Sequence, residues 1–194
     1  MSPAELRTFR ESLGLSIPWM ANNFNVPLER VTGWEIGRCP LPEGVTEALV
    51  RIDLLIETTV ESRVAALLAA RDRGELPGAA VLLRFWNDED LWRFYPELQP
   101  LSSAAYGTLL TRLSRELRAR GIESCMEYLD ATRYLAWLGD KPDNEPNRVK
   151  WAIKAMERRK KFLAKLRNSP IKKLSLTVGG LPVTRDELSS ASTS

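Results

Sequence analysis

Residues 14–38, GLSIPWMANNFNVPLERVTGWEIGR, decide how the rest of the chain is read. They predict two short helices joined by a tight turn. Ser16 is placed to cap the first helix, with Pro18 tolerated in its first turn. Met20 and Phe24 share a face of that helix, and Ala21 beside them leaves room for a second helix to cross closely. Asn25 falls where the chain must turn, and Asn accepts the left-handed conformation better than most residues. Val26 is expected to bury in the turn, and Pro27 to start the second helix. Val31 and Trp34 form that helix's buried face, and Gly37 ends it.

This spacing resembles the helix-turn-helix of the Cro/CI (XRE) family of DNA-binding regulators. Ala21 takes the small-residue position, Asn25 the turn position, and Val26 and Val31 the buried aliphatic positions. The W-E-x-G-R ending appears as Trp34, Glu35, Gly37 and Arg38. Arg10 matches a position that pairs with Glu35 in such proteins. The resemblance implies that the second helix enters the major groove, with Leu28, Glu29, Arg30, Thr32 and Gly33 facing DNA. Ser16, Ile17 and Arg38 would lie at the backbone. Ile17 departs from the usual Gln, and Gly33 offers no side chain where the family often has a reading residue. Base readout therefore falls mainly to Arg30 and Glu29.

The helix before this stretch opens with Ser2, Pro3 and Glu5, a capping box with proline in the first position. Leu6, Phe9 and Leu13 follow at helical spacing. After Arg38 and the loop CPLPEGV, Pro42 or Glu43 starts a long helix reaching about Arg73. Val45, Leu49, Ile52, Ile56, Val60, Val64 and Leu67 give it one continuous apolar stripe. That stripe fits a helix packed across one compact molecule, which is preferred, or a two-helix dimer seam.

GELPG at 74–78 marks a domain boundary. Residues 79–86 then read as a buried strand, 87–95 as a helix capped by Asn87, 101–120 as a helix ended by Gly121, 122–129 as a second strand, and 130–139 as a helix capped by Asp130. In the second strand Ile122, Ser124, Met126 and Tyr128 alternate with Glu123, Cys125, Glu127 and Leu129. The order β-α-α-β-α suggests a small α/β module with parallel strands. Tyr95, Tyr106, Tyr128, Trp86, Trp92 and Trp137 are read as core. A second resemblance enters here, carried by Arg73, Gly74, Glu75 and Pro77, then Leu83, Arg84, Phe85, Trp86 and Asn87. The combination resembles a group of anti-CRISPR-associated and related short prophage regulators. It implies an α/β part used for dimerisation.

KPDNEPN at 141–147 reads as a polar linker, followed by a basic helix ending near Pro170. Val149, Ile153, Met156, Leu163 and Leu166 make its apolar edge, and Arg158, Arg159, Lys160 and Lys161 a charge block. That block is either a solvated face or a set of phosphate contacts. Residues 174–188 suggest a short hairpin around Gly179 and Gly180, and SSASTS a disordered tail.

Composition bounds the rest. The 194 residues are 44 % hydrophobic and 27 % charged, enough for a real core. Net charge is +3, but residues 141–175 hold twelve Lys/Arg against three Asp/Glu, leaving the remainder negative. There is no histidine, which excludes His-based triads and His metal ligands. Two distant cysteines, Cys39 and Cys125, read as free thiols. No P-loop, G-x-G-x-x-G or G-x-S-x-G occurs. The carboxylates at 88–90, Glu123, Glu127, Asp130 and Asp140 follow no metal or glycosidase spacing. No catalytic residue, metal, cofactor or small-molecule ligand is expected. No run suits a membrane span, and the N-terminus lacks a secretory h-region, so the expected compartment is the cytoplasm.

The fold expected is mostly α with a small α/β part: a helix-turn-helix bundle with its long connecting helix (1–73), the α/β dimerisation module (79–140), and a basic helix and tail (141–194). The function expected is a transcriptional regulator, an autorepressor binding a palindromic DNA operator as a homodimer through residues 27–36. A helix-turn-helix protein-interaction adaptor, or an RNA-binding regulator using the basic helix, are the competing readings.

Overall fold

The computed structural model describes residues 1–76 and 78–168, together with the short strands 177–178 and 181–182. The SSASTS tail and most of the preceding segment lie outside the described residues. Met1–Lys154 forms one compact unit and Ala155–Ser194 a second. The described residues are mostly helical, with a small two-stranded parallel sheet.

The first helix, α1 (Pro3–Ser12), begins with the expected capping box. Ser2 Oγ accepts from the Glu5 amide at 3.2 Å while Glu5 accepts from the Ser2 amide at 2.6 Å. Two short helices follow, α2 (Ile17–Asn23) and α3 (Leu28–Glu35). The long α4 (Glu43–Asp72) runs for 30 residues. Its stripe is buried from Val45 to Val64, while Leu67 is half-buried.

The next elements are β1 (Ala80–Arg84), α5 (Asp88–Phe94), a 3-10 turn (Pro96–Leu98), α6 (Ser103–Ala119), β2 (Ser124–Tyr128) and α7 (Ala131–Leu138). Local signals set most of these limits. Asn87, Ser102 and Asp130 each cap a helix through the side chain. The chain leaves α6 through Gly121 at φ +73°. β1 and β2 pair in parallel, Leu82 opposite Met126, as the β-α-α-β-α order predicts.

Helix α6 explains where the α4 stripe goes. Its own stripe, Tyr106, Leu109, Leu110, Leu113 and Leu117, is fully buried, and α4 packs directly on α6. Between the two readings of that stripe, this is the one confined to a single molecule. Arg112 of α6 closes the seam's edge by pairing with Asp53 at 2.7 Å. The loop before α2 is also fixed to α6. A Cβ at Gly14 would lie 2.6 Å from Thr108 Oγ1 and 3.1 Å from the Ala104 carbonyl.

Three expectations need correction. First, Trp86 and Tyr128 are not core. Both are exposed, and they stack on each other with ring centroids 3.7 Å apart. Trp92 and Trp137 are half-buried, whereas Tyr95 and Tyr106 are core as expected. β1 ends at Arg84, so Trp86 lies past that strand, and Tyr128 is the last residue of β2. Second, β2 begins at Ser124, not at Ile122, and of the two alternating sets Glu127 and Leu129 are buried while Met126 and Tyr128 are exposed. Facing is set by what lies on each side of the sheet, and the alternation alone names two sets without ranking them.

Third, residues 141–147 are not a free linker. The last described helix, α8 (Glu145–Asn168), starts within them, because Asn144 Oδ1 accepts from the Asn147 amide at 3.0 Å and Pro146 is tolerated in a first turn. Asp143 accepts from Tyr134 Oη at 2.7 Å and from both Arg148 Nε and Nη2 at 2.8 and 2.9 Å. Arg148 donates further to the Phe94 carbonyl at 2.9 Å, and Tyr95 Oη donates to Glu145. The inward face of α8 therefore carries Trp151 and Ala152, not the expected edge: Ile153 and Leu163 are exposed, and Val149 and Met156 half-buried. The Leu166 side chain lies outside the described residues. In the second unit, Thr177–Val178 and Leu181–Pro182 pair antiparallel; Gly179 and Gly180 lie outside the described residues.

The Arg148 guanidinium holds the Asp143 carboxyl below its ordinary value, with Tyr134 adding in the same direction. Burial and the carboxylate acceptor push the Tyr134 hydroxyl up to about 12. A depressed acid contributes stability above its ordinary value and loses that contribution as pH falls through the folded value. Thermal midpoints should therefore drop as pH falls below the ordinary carboxylate value of 3.8. Asp143→Asn should lower the midpoint at neutral pH and flatten this acid limb. Tryptophan fluorescence across pH 3–7 reads both, and an unchanged limb in the variant would remove Asp143 from that role.

Candidate nucleic-acid interface

The candidate surface is built from α2, its turn and α3. Ser16 Oγ accepts from the Trp19 amide at 3.1 Å and so caps α2. Met20 and Ala21 face inward. After α2 the backbone turns at Asn25, the one described non-glycine residue with positive φ, at +52°. The Val26 amide donates to the Ala21 carbonyl at 2.9 Å and closes the turn. Val26 itself is half-buried rather than buried. Pro27 is extended, at φ −61° and ψ 151°, and precedes the helix instead of opening it; α3 starts at Leu28. Proline's fixed φ suits either place, so the sequence did not separate them.

Helix α3 is anchored on one side only. Val31 and Trp34 are buried, and Phe24 meets Trp34 edge-to-face with centroids 6.4 Å apart. Arg10 of α1 and Glu35 of α3 pair as the resemblance implied. Arg10 Nε donates to Glu35 Oε1 at 2.5 Å and Nη2 to Oε2 at 3.3 Å, with the side chains only 9 % and 6 % exposed. Arg10 Nη1 also donates to the Leu15 carbonyl at 2.7 Å, which ties the loop before α2 to the same pair. The helix ends in a Schellman arrangement. Gly37 sits at φ +74°, the Arg38 amide donates to the Gly33 carbonyl at 2.9 Å, and the Gly37 amide to Trp34 at 3.3 Å.

The opposite side of α3 carries Leu28, Glu29, Arg30 and Thr32, all exposed. Thr32 Oγ1 donates to the Leu28 carbonyl at 3.1 Å, which leaves its lone pairs outward. Ser16 and Arg38 are exposed as well, and Ile17 is half-buried. Among the described residues, the ion pairs of this region are Arg7–Glu11, Arg10–Glu11 and Arg10–Glu35; Arg30 and Arg38 enter none.

Gly33 is placed differently from the other residues expected to face DNA. It is buried, and a Cβ there would lie 3.0 Å from Cys39 Sγ. The turn at Gly37 folds the chain back so that the Cys39 thiol lies where a reading side chain would project. With Leu28, Glu29, Thr32, Ile36 and Arg38, Cys39 lines a shallow groove of about 280 Å³ along α3. Ile36 is exposed in the lining of this groove. Sequence reading missed Ile36 and Cys39, and only the C-terminal glycine hinted at the fold-back.

In the second unit, Arg158, Arg159, Lys160 and Lys161 are exposed on α8. Among the described residues no group of acidic, cysteine or histidine side chains is arranged to hold a metal, and neither Cys39 nor Cys125 is in a disulfide. No described helix is long and apolar enough to cross a membrane. A scan against protein-family models and a search of curated proteins both find no match to this chain.

Proposed function

We propose that this chain is a sequence-specific DNA-binding transcriptional regulator of the helix-turn-helix class. It acts as an autorepressor that binds a palindromic operator as a homodimer, with α3 in the major groove. The observation that carries this reading is the one-sided anchoring of α3. Its inner face is locked by Val31, Trp34 and the Arg10–Glu35 pair, while its outer face presents Glu29, Arg30 and Thr32 with an arginine that has no ion-pair partner among the described residues. A rigid support under free hydrogen-bonding groups is what base readout needs. Arg30 is assigned the base contact, to guanine. Glu29 accepts from cytosine or positions Arg30. Ser16, Ile17 and Arg38 lie along the backbone and fix register.

The test is binding of the full-length protein to its own upstream DNA and to scrambled DNA at two salt concentrations. Tight binding on the native sequence that survives added salt supports an operator reader. Equal, salt-sensitive binding to both assigns affinity to the basic block at 158–161 and counts against readout by α3. Arg30→Ala should cost about 1–3 kcal/mol on operator DNA and relax specificity at one base pair. A loss of the same size on scrambled DNA would make Arg30 a phosphate contact instead.

A second reading rests on its own observation. Leu28 and Ile36 are exposed apolar side chains that line the α3 groove. A protein-interaction adaptor would use this groove for an apolar side chain of a partner. It would show no salt-dependent DNA binding at all.

A further inference from the structure

The parallel sheet has two strands, so each has an outer edge. The edges differ. On β1 the outward backbone belongs to Val81 and Leu83 and, just past the strand, Phe85. Leu83 and Phe85 are 1 % exposed, so protein covers that edge. The β1–β2 ladder is framed by the Ala80 amide donating to the Glu123 carbonyl at 2.8 Å and the Leu129 amide donating to the Arg84 carbonyl at 2.9 Å. In a parallel ladder with Leu82 opposite Met126, Cys125 and Glu127 bond inward to β1. The amides and carbonyls of Ser124, Met126 and Tyr128 then point away from it. No strand among the described residues pairs with them. Met126 and Tyr128 are 46 % and 38 % exposed, and Trp86, stacked on Tyr128, is 67 % exposed. An open row of donors and acceptors beside apolar side chains is a template for another strand.

We propose that the outer edge of β2 pairs antiparallel with the same edge of a second copy of this chain, about a two-fold axis at Met126, making one four-stranded sheet from two. The register is self-complementary. Met126 meets Met126 of the other copy, and Ser124 meets Tyr128, so every outward amide faces an outward carbonyl. The charges agree with it: Glu123 falls opposite Leu129 and Glu127 opposite Cys125, so no like charges meet. Trp86, Met126 and Tyr128 of the two copies join into one apolar strip. The long seam of α4 is not available for this purpose, since α6 covers it. The pairing is independent of whether α3 reads DNA.

The experiment is sedimentation velocity of the full-length protein without DNA, over a range of concentrations. Wild type is expected to be dimeric. Met126→Lys and Met126→Glu each place like charges directly across the axis and should weaken the dimer about tenfold. An equimolar mixture of the two variants should restore dimers, because Lys then faces Glu. Circular dichroism confirms that each variant folds, as the exposed Met126 side chain predicts. A monomeric wild type, a variant that dimerises as tightly as wild type, or a mixture that dimerises no more tightly than the single variants would each overturn the assignment. Operator binding failing while this rescue succeeds would sink only the DNA reading.

Discussion

Arg10→Ala is expected to destabilise the molecule by about 3–5 kcal/mol, more than any other single change at the candidate surface. The cause is the carboxylate left behind. Glu35 is 6 % exposed and its hydrogen-bonding cation is Arg10, held at 2.5 Å. Without Arg10 a buried charge loses its partner, and the Leu15 carbonyl loses a 2.7 Å bond. Glu11, which also reaches Arg10 at 3.3 Å, is half exposed and is compensated by Arg7 at 2.9 Å. The loss should appear in urea denaturation as a lower midpoint with an unchanged slope. Replacing both partners, as Arg10→Met with Glu35→Leu, should recover much of it, since neither charge is then stranded. A single-variant loss below about 1 kcal/mol would mean the pair behaves like an exposed one.

Ile56→Ala is expected to cost about 2–5 kcal/mol. Ile56 is fully buried near the middle of α4, in the seam against α6. Truncation removes apolar contact and leaves a cavity that two long helices cannot collapse around. Because the seam lies within one molecule, the loss should be the same at every protein concentration. Pairing at the β2 edge makes the midpoints of wild type and variant rise together with concentration, whereas a seam between two copies would make the size of the loss itself change with concentration. Thermal melts of wild type and variant across a hundredfold range of concentration separate the two. Concentration dependence removed by Ile56→Ala but not by Met126→Lys would place self-association on α4 and contradict the sheet-edge pairing.

Helix limits were largely legible in the sequence because the forces that set them are local. Ser2, Ser16, Asn87, Ser102 and Asp130 cap the helices they precede, within three residues of their partners. Asn25 and Gly37 take positive φ at the turns where the pattern required it. The order of strands and helices between 79 and 139 followed from periodicity and turn residues in the same way. The start of α8 was misread for a related reason: Asn144 and Pro146 suit both a loop and a helix entry, and the deciding contacts, Asp143 with Tyr134 and Arg148 with Phe94, lie up to 54 residues away along the chain.

By itself, then, the sequence determined which segments are helical, where they stop, and which residues share a face. Only the tertiary structure decided what each face meets. It placed the α4 stripe on α6, turned Glu127 inward and Met126 and Tyr128 outward, left Trp86 on the surface, and laid Cys39 against Gly33. The physical reason is one of range. Capping and turn preferences act between near neighbours and are written in the residues themselves. Burial is a property of two surfaces, and an amphipathic element carries no record of which surface covers it.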